Sequence, residues 1–286
     1  MALVDTHVHF WDPSELTYQW LFDDFERAYL PSDYLLEAGD AAPDGIVFVE
    51  AGCQSGTLAE VEWVRHLADT EPRIVGIIAH ATLEDATLAA GQLEGLTATH
   101  LVKGIRRMLQ DQPMSFITDA NLVTGVQALS KRDLTFDICI VAEQLPAAIS
   151  LVKQCPDVQF VLNHVANPNI ATGQWQPWAE QLAELAQSEN VACKLSGMIT
   201  QTGTRSWQPD DLRRYFDHAL SSFGPQRLMF GSDFPILHLA GSYSDWISAL
   251  TAAIQSLSAQ EQNYIFFETA RSIYRLDVTA LLNKKE

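Results

Sequence analysis

Cysteine is scarce in this chain of 286 residues. The four cysteines form no C-x-x-C pair, and most of them lie in or beside apolar stretches, where a reduced thiol behaves as a small hydrophobe. They are Cys53, Cys139, Cys155 and Cys193. This usage predicts neither a disulfide framework nor a cysteine zinc site, so a reducing, cytoplasmic setting is the expectation.

Long apolar runs and positive charge are also missing. No apolar run approaches about 18 residues, so no membrane-spanning helix is predicted. The 18 lysines and arginines are outnumbered by 36 acidic residues, and the formal net charge is −18. A negative field repels phosphate, which argues against nucleic acid and anionic membranes as partners. It is compatible with a small-molecule substrate, even an anionic one, which a few local arginines and lysines can bind. No G-x-G-x-x-G follows a predicted strand, which disfavours a dinucleotide-binding fold.

The chain does contain a regular alternation of apolar strand-like runs and stretches with helical periodicity. Eight strands are predicted, at Leu3–Phe10, Gly45–Ala51, Arg73–His80, Leu101–Arg106, Leu134–Val141, Val158–Asn163, Val191–Ser196 and Arg227–Phe230. Strands alternating with helices predict a parallel sheet with helical crossovers, buried on both faces. Eight such units favour the α/β class and one closed (β/α)₈ barrel, a TIM barrel, as a single domain over residues 1–286.

Two segments depart from this regular alternation. Trp11–Pro43 is polar, rich in aromatic residues and too long for a simple connection, and loops of that length tend to be functional. We expect it to form an elaborated loop over one end of the barrel. Ala259–Leu276 is predicted to add one or two helices at the C-terminus.

Polar residues gather at the C-terminal ends of the predicted strands, where barrels of this kind build their active sites. His7 and His9 lie two apart on the first strand and therefore point to one face. His164 ends the sixth strand and Asp233 follows the eighth. Imidazoles can ligate a divalent metal or donate to a substrate oxygen, and a carboxylate can take a proton from water. Trp11 follows the H-x-H directly and is expected to wall the pocket.

Cations accompany these groups on the fourth and seventh strands. Lys103, Arg106 or Lys194 could hold a carboxylate or polarise a carbonyl in a substrate. Arg106 and Arg107 are adjacent, so only one of them should face the site. An equally good interpretation is that Lys103 forms an ion pair with Glu50 inside the barrel. The complete set is suited to the attack of activated water on an acyl carbon.

Five motifs in order along the chain carry a resemblance to a known family: V-D-T-H-V-H-F-W-D-P, V-K-G-I-R-R, L-N-H, K-L-S-G and G-S-D-F-P. Together they resemble the amidohydrolase superfamily, and more narrowly its amidohydrolase-2 branch of sugar-lactone and pyrone-dicarboxylate lactonases. The resemblance covers nearly the whole chain. It implies a barrel enzyme that hydrolyses the ester bond of a lactone, such as an aldonolactone.

By position, the resemblance assigns His7 and His9 to the metal pair of the first strand, with His164 as the later histidine. It assigns Asp233 to the activation of water. The fifth strand reads T-F-D-I-C-I and lacks the histidine that many superfamily members carry there. Lys103 lies within its strand rather than at the tip. The resemblance therefore implies at most one divalent ion, Zn²⁺ first, held by His7, His9, His164 and Asp233, and catalysis without metal stays open.

Two other functions remain as alternatives at this point. One is decarboxylation of an unsaturated or aromatic acid by a mononuclear zinc centre on the same scaffold. The other is a binding protein that keeps the barrel but lacks turnover. Neither the particular lactone nor the oligomeric state can be read from the sequence, and a homo-oligomer is compatible with it.

Overall fold

The structure, a computed structural model, describes residues 2–278. Eight parallel strands form one sheet in which each strand pairs with the next along the chain. They are β1 (Val4–Val8), β2 (Gly45–Val49), β3 (Ile74–His80), β4 (Val102–Arg106), β5 (Thr135–Ile138), β6 (Phe160–Leu162), β7 (Val191–Leu195) and β8 (Leu228–Phe230). The predicted α/β barrel is confirmed.

Helices follow the strands and pack against their apolar outer faces. They are α1 (Pro31–Ala38), α2 (Thr57–Thr70), α3 (Ala86–Leu96), α4 (Met114–Ile117), α5 (Ala120–Gln127), α6 (Leu145–Gln154), α7 (Trp178–Ala186), α8 (Pro209–Phe223), α9 (Tyr243–Ile254), α10 (Ala259–Asn263) and α11 (Thr269–Ile273). Within residues 2–278, no helix has the length and apolar character needed to cross a bilayer.

The helical periodicity of the sequence predicts a helix over Leu83–Leu96, and the structure shows that a capping residue sets where this helix begins. It begins at Ala86, because the carboxylate of Asp85 accepts the backbone N–H groups of Thr87 and Leu88 at 2.9 and 3.0 Å. An aspartate in this position satisfies donors that the first helical turn leaves without partners.

The barrel closes between β1 and the segment that follows β8. Val8 forms a parallel bridge with Phe234. The backbone N–H of Asp233 donates to the carbonyl of His7 at 2.8 Å, and that of His9 donates to the carbonyl of Phe234 at 2.7 Å. Backbone hydrogen bonds therefore hold the H-x-H motif and the G-S-D-F-P motif side by side.

The C-terminal segment fills the end of the barrel at which the strands begin. A π-helical turn at Tyr264–Glu268 leads into α11. Leu276 and Val278 lie beside Gly76 and Gly45, near the starts of β3 and β2. Side chains of this segment share one buried cluster with inward-facing strand residues, including Val47, Val49, Val161, Ala192 and Met229. The predicted C-terminal helices are thus part of the barrel core.

Residues 11–43 form the predicted elaborated loop. Its first part folds back on itself through a pair of backbone hydrogen bonds between Trp11 and Tyr29, at 3.0 and 2.8 Å. The loop contains α1, and Tyr34 of that helix donates its hydroxyl to Asp5 Oδ2 at 2.6 Å. Because Asp5 lies on β1, this contact anchors the loop to the strand that carries His7 and leads directly to His9.

Candidate active site

Three imidazoles and one carboxylate meet at the C-terminal end of the barrel. Nε2 of His9 and Nε2 of His7 lie 3.5 and 3.7 Å from Asp233 Oδ1. The ring centroid of His7 is 4.4 Å from that of His164 and 5.0 Å from that of His9. All four side chains are buried, with at most 7% of any residue exposed. The structure thus brings together four residues that three separate motifs contribute.

A backbone contact determines that Nδ1 of His9 carries a proton. Its Nδ1 lies 2.8 Å from the carbonyl oxygen of Val49, and a carbonyl can only accept, so Nδ1 carries a proton. In the neutral ring the lone pair then lies on Nε2, facing Asp233 Oδ1. Two acceptors 3.5 Å apart favour a hydrogen-bond donor or a cation that bridges them from one side.

The end of β6 presents His164 through an unusual backbone. Four consecutive residues adopt left-handed angles, with φ of 54° at His164, 52° at Val165, 61° at Ala166 and 47° at Asn167. This conformation costs non-glycine residues roughly 1–2 kcal/mol each, and such strain tends to occur at functional sites. Trp178 holds the turn, because its indole N–H donates to the carbonyl of Val165 at 2.9 Å.

Two glycines allow the histidines to approach their neighbours. A Cβ on Gly197 would lie 2.5 Å from Nδ1 of His164, and one on Gly231 would lie 2.9 Å from Cβ of His7. Ser196 precedes Gly197, and its hydroxyl oxygen lies 2.9 Å from Nδ1 of His164. The glycines of K-L-S-G and G-S-D-F-P are therefore required by close packing around the site.

The site combines neutral imidazoles with an ionised carboxylate. Burial lowers the pKa of His164 to about 4, and burial with the nearby Lys194 holds the pKa of His7 well below its ordinary value. Burial opposes the charge of Asp233, but the positive charge that surrounds it, that of Arg106 included, outweighs burial, and the pKa of Asp233 lies below its usual value. These are the protonation states that a general base and neutral nitrogen ligands need.

Two cations flank His7. Nη1 of Arg106 lies 3.5 Å from its Nε2, and Nζ of Lys194 lies 3.4 Å from its Nδ1. Arg106 is held by Glu50, whose carboxylate accepts from Nε at 2.7 Å and whose backbone carbonyl accepts from Nη2 at 2.5 Å. The alternative of Lys103 as the partner of Glu50 is therefore wrong.

Lys103 and Arg107 lie elsewhere. Nζ of Lys103 is 3.4 Å from the carbonyl oxygen of Arg275, at the end of the barrel that the C-terminal segment fills. Lys103 precedes Arg106 by three residues on β4, and three residues of strand span about 10 Å. Arg107 turns outward and pairs with Glu84 at 2.7 Å. Of the basic residues on β4 and just after it, Arg106 is the one that reaches the histidines.

Trp11 does not wall a pocket as expected. It is fully buried inside the first loop. Its indole N–H donates to the carbonyls of Phe25 and Arg27 at 3.1 and 2.9 Å, and its ring packs against Trp20 at a centroid distance of 5.1 Å. Because the loop satisfies its polar atom and covers its ring, Trp11 stabilises the loop.

Asp137 of β5 belongs to none of the five motifs and lies buried beside the site. Its carboxylate accepts from Nζ of Lys194 at 2.7 Å, from Nδ2 of Asn163 at 3.0 Å and from the Tyr274 hydroxyl at 3.1 Å. One signal was available, since T-F-D-I contains a charged residue on an otherwise apolar strand. Nothing local marks Tyr274, which is brought to the barrel interior by the C-terminal segment.

A second buried carboxylate lies behind Glu50. Glu60, in the first turn of α2, accepts the backbone N–H of Ala51 at 3.0 Å. Burial, reinforced by the charge of Glu50, raises the pKa of Glu60 to about 8. Burial also acts to raise the pKa of Glu50, but the positive charge of Arg106 outweighs burial, and the pKa of Glu50 is lowered. At neutral pH one carboxyl of the two is therefore charged and the other holds a proton.

This assignment predicts a pH-dependent stability difference between the natural chain and a Glu60→Gln variant. The pKa of Glu60 is raised on folding, so its stabilising contribution is complete below about pH 4.5 and is lost as the pH rises through about 8. Glutamine keeps an acceptor for Ala51 but cannot ionise. We expect urea unfolding to show the natural chain losing up to about 1.4 kcal/mol per pH unit relative to the variant across that window.

A matched substitution at the exposed Glu94 of α3 serves as the control. Glu94→Gln should leave the pH profile of the unfolding free energy parallel to that of the natural chain. Parallel profiles for Glu60→Gln itself would show that Glu60 is not protonated in the folded state.

Three of the clustered residues could hold a metal ion. His7, His164 and Asp233 offer ligand atoms that all lie within 4.8 Å of one another. Two neutral imidazoles and a carboxylate are donors that suit Zn²⁺, although the fixed charge of Arg106 beside His7 weakens the attraction of a dication. No second group of this kind occurs in residues 2–278. The donor set therefore fits one divalent ion and not a binuclear centre.

The chain is similar to a known family of proteins over nearly its whole length. A family model described as amidohydrolase matches residues 4–276. The L-fucono-1,5-lactonase of Burkholderia multivorans is 32% identical over 290 residues, which cover 96% of this chain and 96% of that protein. A crystal structure of an amidohydrolase from Burkholderia multivorans with bound zinc has a TM-score of 0.85 and 30% identity, covering 97% of this chain and all of that one.

A more distant likeness concerns the fold alone. The crystal structure of 2,6-dihydroxybenzoate decarboxylase from Rhizobium has a TM-score of 0.64 at 14% identity, covering 96% of this chain and 99% of that one. At this identity the shared barrel says nothing about which reaction this chain catalyses.

Proposed function

The chain belongs to the amidohydrolase family, and on that premise we propose that it hydrolyses the ester bond of a sugar-acid lactone with water activated by Asp233. The observation that carries this proposal is the approach of Asp233 Oδ1 to Nε2 of both His7 and His9. The resemblance to L-fucono-1,5-lactonases supports the substrate class.

The attacking water is proposed to bridge His9 Nε2 and Asp233 Oδ1 from one side, within hydrogen-bond distance of both atoms. Both atoms that face this position are acceptors, and a water molecule can donate one hydrogen to each. The ionised carboxylate takes the proton as the oxygen attacks the lactone carbonyl carbon. General-base catalysis of this kind contributes about 10²–10⁴ in rate.

The lactone carbonyl oxygen is proposed to point towards His7 and Arg106. The guanidinium donates N–H groups and remains charged throughout, so it stabilises the tetrahedral oxyanion in a buried site of low dielectric constant. When the carbon–oxygen bond of the ring breaks, the proton held by Asp233 passes to the ring oxygen. The product is the open hydroxy acid.

A divalent ion, Zn²⁺ by the chemistry of the donors, would be held by His7, His164 and Asp233. When bound, it would supply Lewis-acid polarisation of the carbonyl. The roles of Arg106 and His9 in orienting the carbonyl and the water do not depend on it.

A panel of aldonolactones in a pH-indicator assay tests the proposed function, because each opening releases an acid. We expect a kcat/KM of at least about 10⁴ M⁻¹ s⁻¹ for one lactone or more, as is usual for an enzyme with its own substrate. The panel should include L-fucono-1,5-lactone and lactones that differ from it at single hydroxyl positions. Rates no higher than spontaneous hydrolysis for every lactone would contradict the proposal.

The metal proposal has a separate readout. Protein purified with zinc in the medium is expected to retain about one ion per chain by elemental analysis, and His164→Ala should lose most of it because a ligand is removed. His66 of α2 is exposed, so His66→Ala is the matched control and should retain the ion. Equal zinc content in both variants would remove His164 from the ligand set.

A further inference from the structure

We propose that Gln110 gives the enzyme its specificity for the hydroxyl on the carbon next to the lactone carbonyl, the 2-hydroxyl of an aldonolactone, and that Gln144 is a positioning residue for Gln110. The inference deepens the proposed lactone hydrolysis and rests on it. Gln110 is exposed in the loop that follows β4, at the mouth of the barrel. The thiol of Cys139 donates to Oε1 of Gln110 at 3.5 Å.

Cys139 follows β5 and faces the interior of the barrel. Ile138 and Ile140 belong to the apolar cluster between the strands and the helices, so Cys139 between them points the other way. Asp137, two residues earlier on the inward face, pairs in register with Arg106 of β4. Two residues of strand span about 6–7 Å, so Cys139 lies that much nearer to the mouth than the level of Arg106.

The charges of the site also act on the thiol of Cys139. Burial raises its pKa to about 11, the positive charge of Arg106 acts to lower it, and the negative charge of Asp233 acts to raise it. Charges have such effects on a thiol only when they lie close to it. The amide of Gln110 contacts this thiol and is therefore within reach of a lactone that Arg106 holds.

The orientation of the lactone determines which of its groups meets Gln110. In the proposed mechanism the carbonyl oxygen points towards His7 and Arg106, and Asp233 returns a proton to the ring oxygen. The ring oxygen must therefore lie on the side of β8, which Asp233 follows. The carbon with the 2-hydroxyl is the other substituent of the carbonyl carbon, so it points away from β8. In a barrel of eight strands in sequence order β4 lies opposite β8, and the 2-hydroxyl therefore faces Gln110.

The amide nitrogen of Gln110 is the group suited to this hydroxyl. The thiol of Cys139 occupies Oε1, which leaves the two N–H donors of Nε2 for a ligand. A hydroxyl oxygen has two lone pairs and accepts from such a donor. A site that hydrogen-bonds a substrate hydroxyl discriminates against the analogue that lacks it, because the donor then loses its partner.

A buried amide holds the loop that carries Gln110. Nε2 of Gln144 donates to the carbonyls of Leu109 and Gln112, at 2.8 and 2.7 Å. Its Oε1 accepts the backbone N–H of Val141, at 3.0 Å. Gln144 is only 5% exposed, so water cannot replace these bonds. One side chain thus joins the loop after β5 to residues on both sides of Gln110.

Gln110→Leu tests the specificity, with kcat/KM measured for the best lactone of the panel and for its 2-deoxy analogue. The selectivity is the ratio of the two values, so the intrinsic reactivity of each lactone cancels when the variant is compared with the natural chain. We expect Gln110→Leu to lower the selectivity about 3- to 10-fold, the factor associated with one hydrogen bond at a group that water also reaches. An unchanged selectivity would overturn the proposal.

Two controls make this result specific. Gln187 is exposed at the C-terminal end of α7, on the side of the barrel where the strands begin, and Gln187→Leu should keep the natural selectivity. The 3-deoxy analogue retains the 2-hydroxyl, so the ratio of kcat/KM between the best lactone and this analogue should be the same in Gln110→Leu and in the natural chain. An equal fall in either control would contradict the assignment of the 2-hydroxyl to Gln110.

The positioning role has its own test in Gln144→Met, which keeps much of the side-chain volume and removes the bonds to the loop. We expect the selectivity to fall in this variant, and to be no lower in the double variant with Gln110→Leu than in Gln110→Leu alone, because residues that act through one contact are not additive. The melting temperature reports the structural cost separately. Effects that multiply in the double variant would remove Gln144 from the positioning role. Gln144→Glu, which keeps the acceptor for Val141, replaces the methionine variant if that one does not fold.

Failure of the inference and failure of the proposed function are distinguishable. If the natural chain hydrolyses no lactone of the panel, the proposed function fails and the inference fails with it. If the natural chain hydrolyses lactones and Gln110→Leu keeps the natural selectivity, the function stands and the inference alone fails.

Discussion

Asp233→Asn is expected to lower kcat on the lactone substrate by about 10²–10⁴ with little change in stability. The amide has the same shape but cannot accept a proton from water. Asp233 has a φ of 65°, and asparagine tolerates this left-handed conformation better than most residues. The backbone bond from residue 233 to the carbonyl of His7 also remains. The loss should therefore be chemical, measured as kcat beside an unchanged melting temperature.

An equivalent substitution at a carboxylate far from the site provides the control. Asp85 caps α3 at the surface, and Asp85→Asn keeps an acceptor oxygen there, so kcat should be unaffected. If Asp233→Asn turned over lactone at nearly the natural rate, Asp233 would not be the base, and the proposed mechanism would have to be given up.

Glu50→Leu is expected to destabilise the fold by about 3–5 kcal/mol. The change leaves the guanidinium of Arg106 buried without its carboxylate, and an uncompensated buried charge carries a penalty of that size. Both side chains are at most 5% exposed, so water cannot replace the lost partner. For a chain of this length the melting temperature should fall by roughly 10 °C. Calorimetry or circular dichroism measures the change.

The explanation by charge is tested with a second substitution. Glu50→Leu combined with Arg106→Met removes both charges and should recover most of the stability, while activity stays low because the oxyanion donor is gone. Asp217→Leu breaks the exposed pair with Arg213 and should change the unfolding free energy by about 0.5 kcal/mol or less. A double variant as unstable as Glu50→Leu alone would mean that packing, and not charge, explains the loss.

The position of His164 illustrates why strand-end residues were predictable as a group. The C-terminal ends of parallel strands in a barrel all point to one mouth, so a polar residue at each end must lie near the others. The sequence shows where apolar runs stop, and His7, His9, His164 and Asp233 all follow or end such runs. Predicting that these side chains converge therefore required only the assumption of a closed barrel.

The positions of Lys103 and Trp11 could not be predicted in this way. Lys103 lies on the correct strand, but three residues of strand separate it from the mouth, and the ladder between β3 and β4 shifts register nearby. Trp11 is adjacent to the histidine motif in sequence, yet its indole N–H donates to carbonyls of the loop. No sequence pattern predicts these hydrogen bonds. Distance along the strand and loop hydrogen bonds depend on backbone geometry, which residue types alone do not specify.

The sequence by itself determined the barrel and the motifs at its mouth, because alternating periodicity and strand ends are local properties. Only the tertiary structure decided that Arg106 pairs with Glu50 and that Lys194 contacts His7. Asp137 and Tyr274 are 137 residues apart and their contact leaves no local signal. Which buried charges become partners depends on the register of eight strands and on the segment that fills the barrel, and these are fixed by the folded chain as a whole.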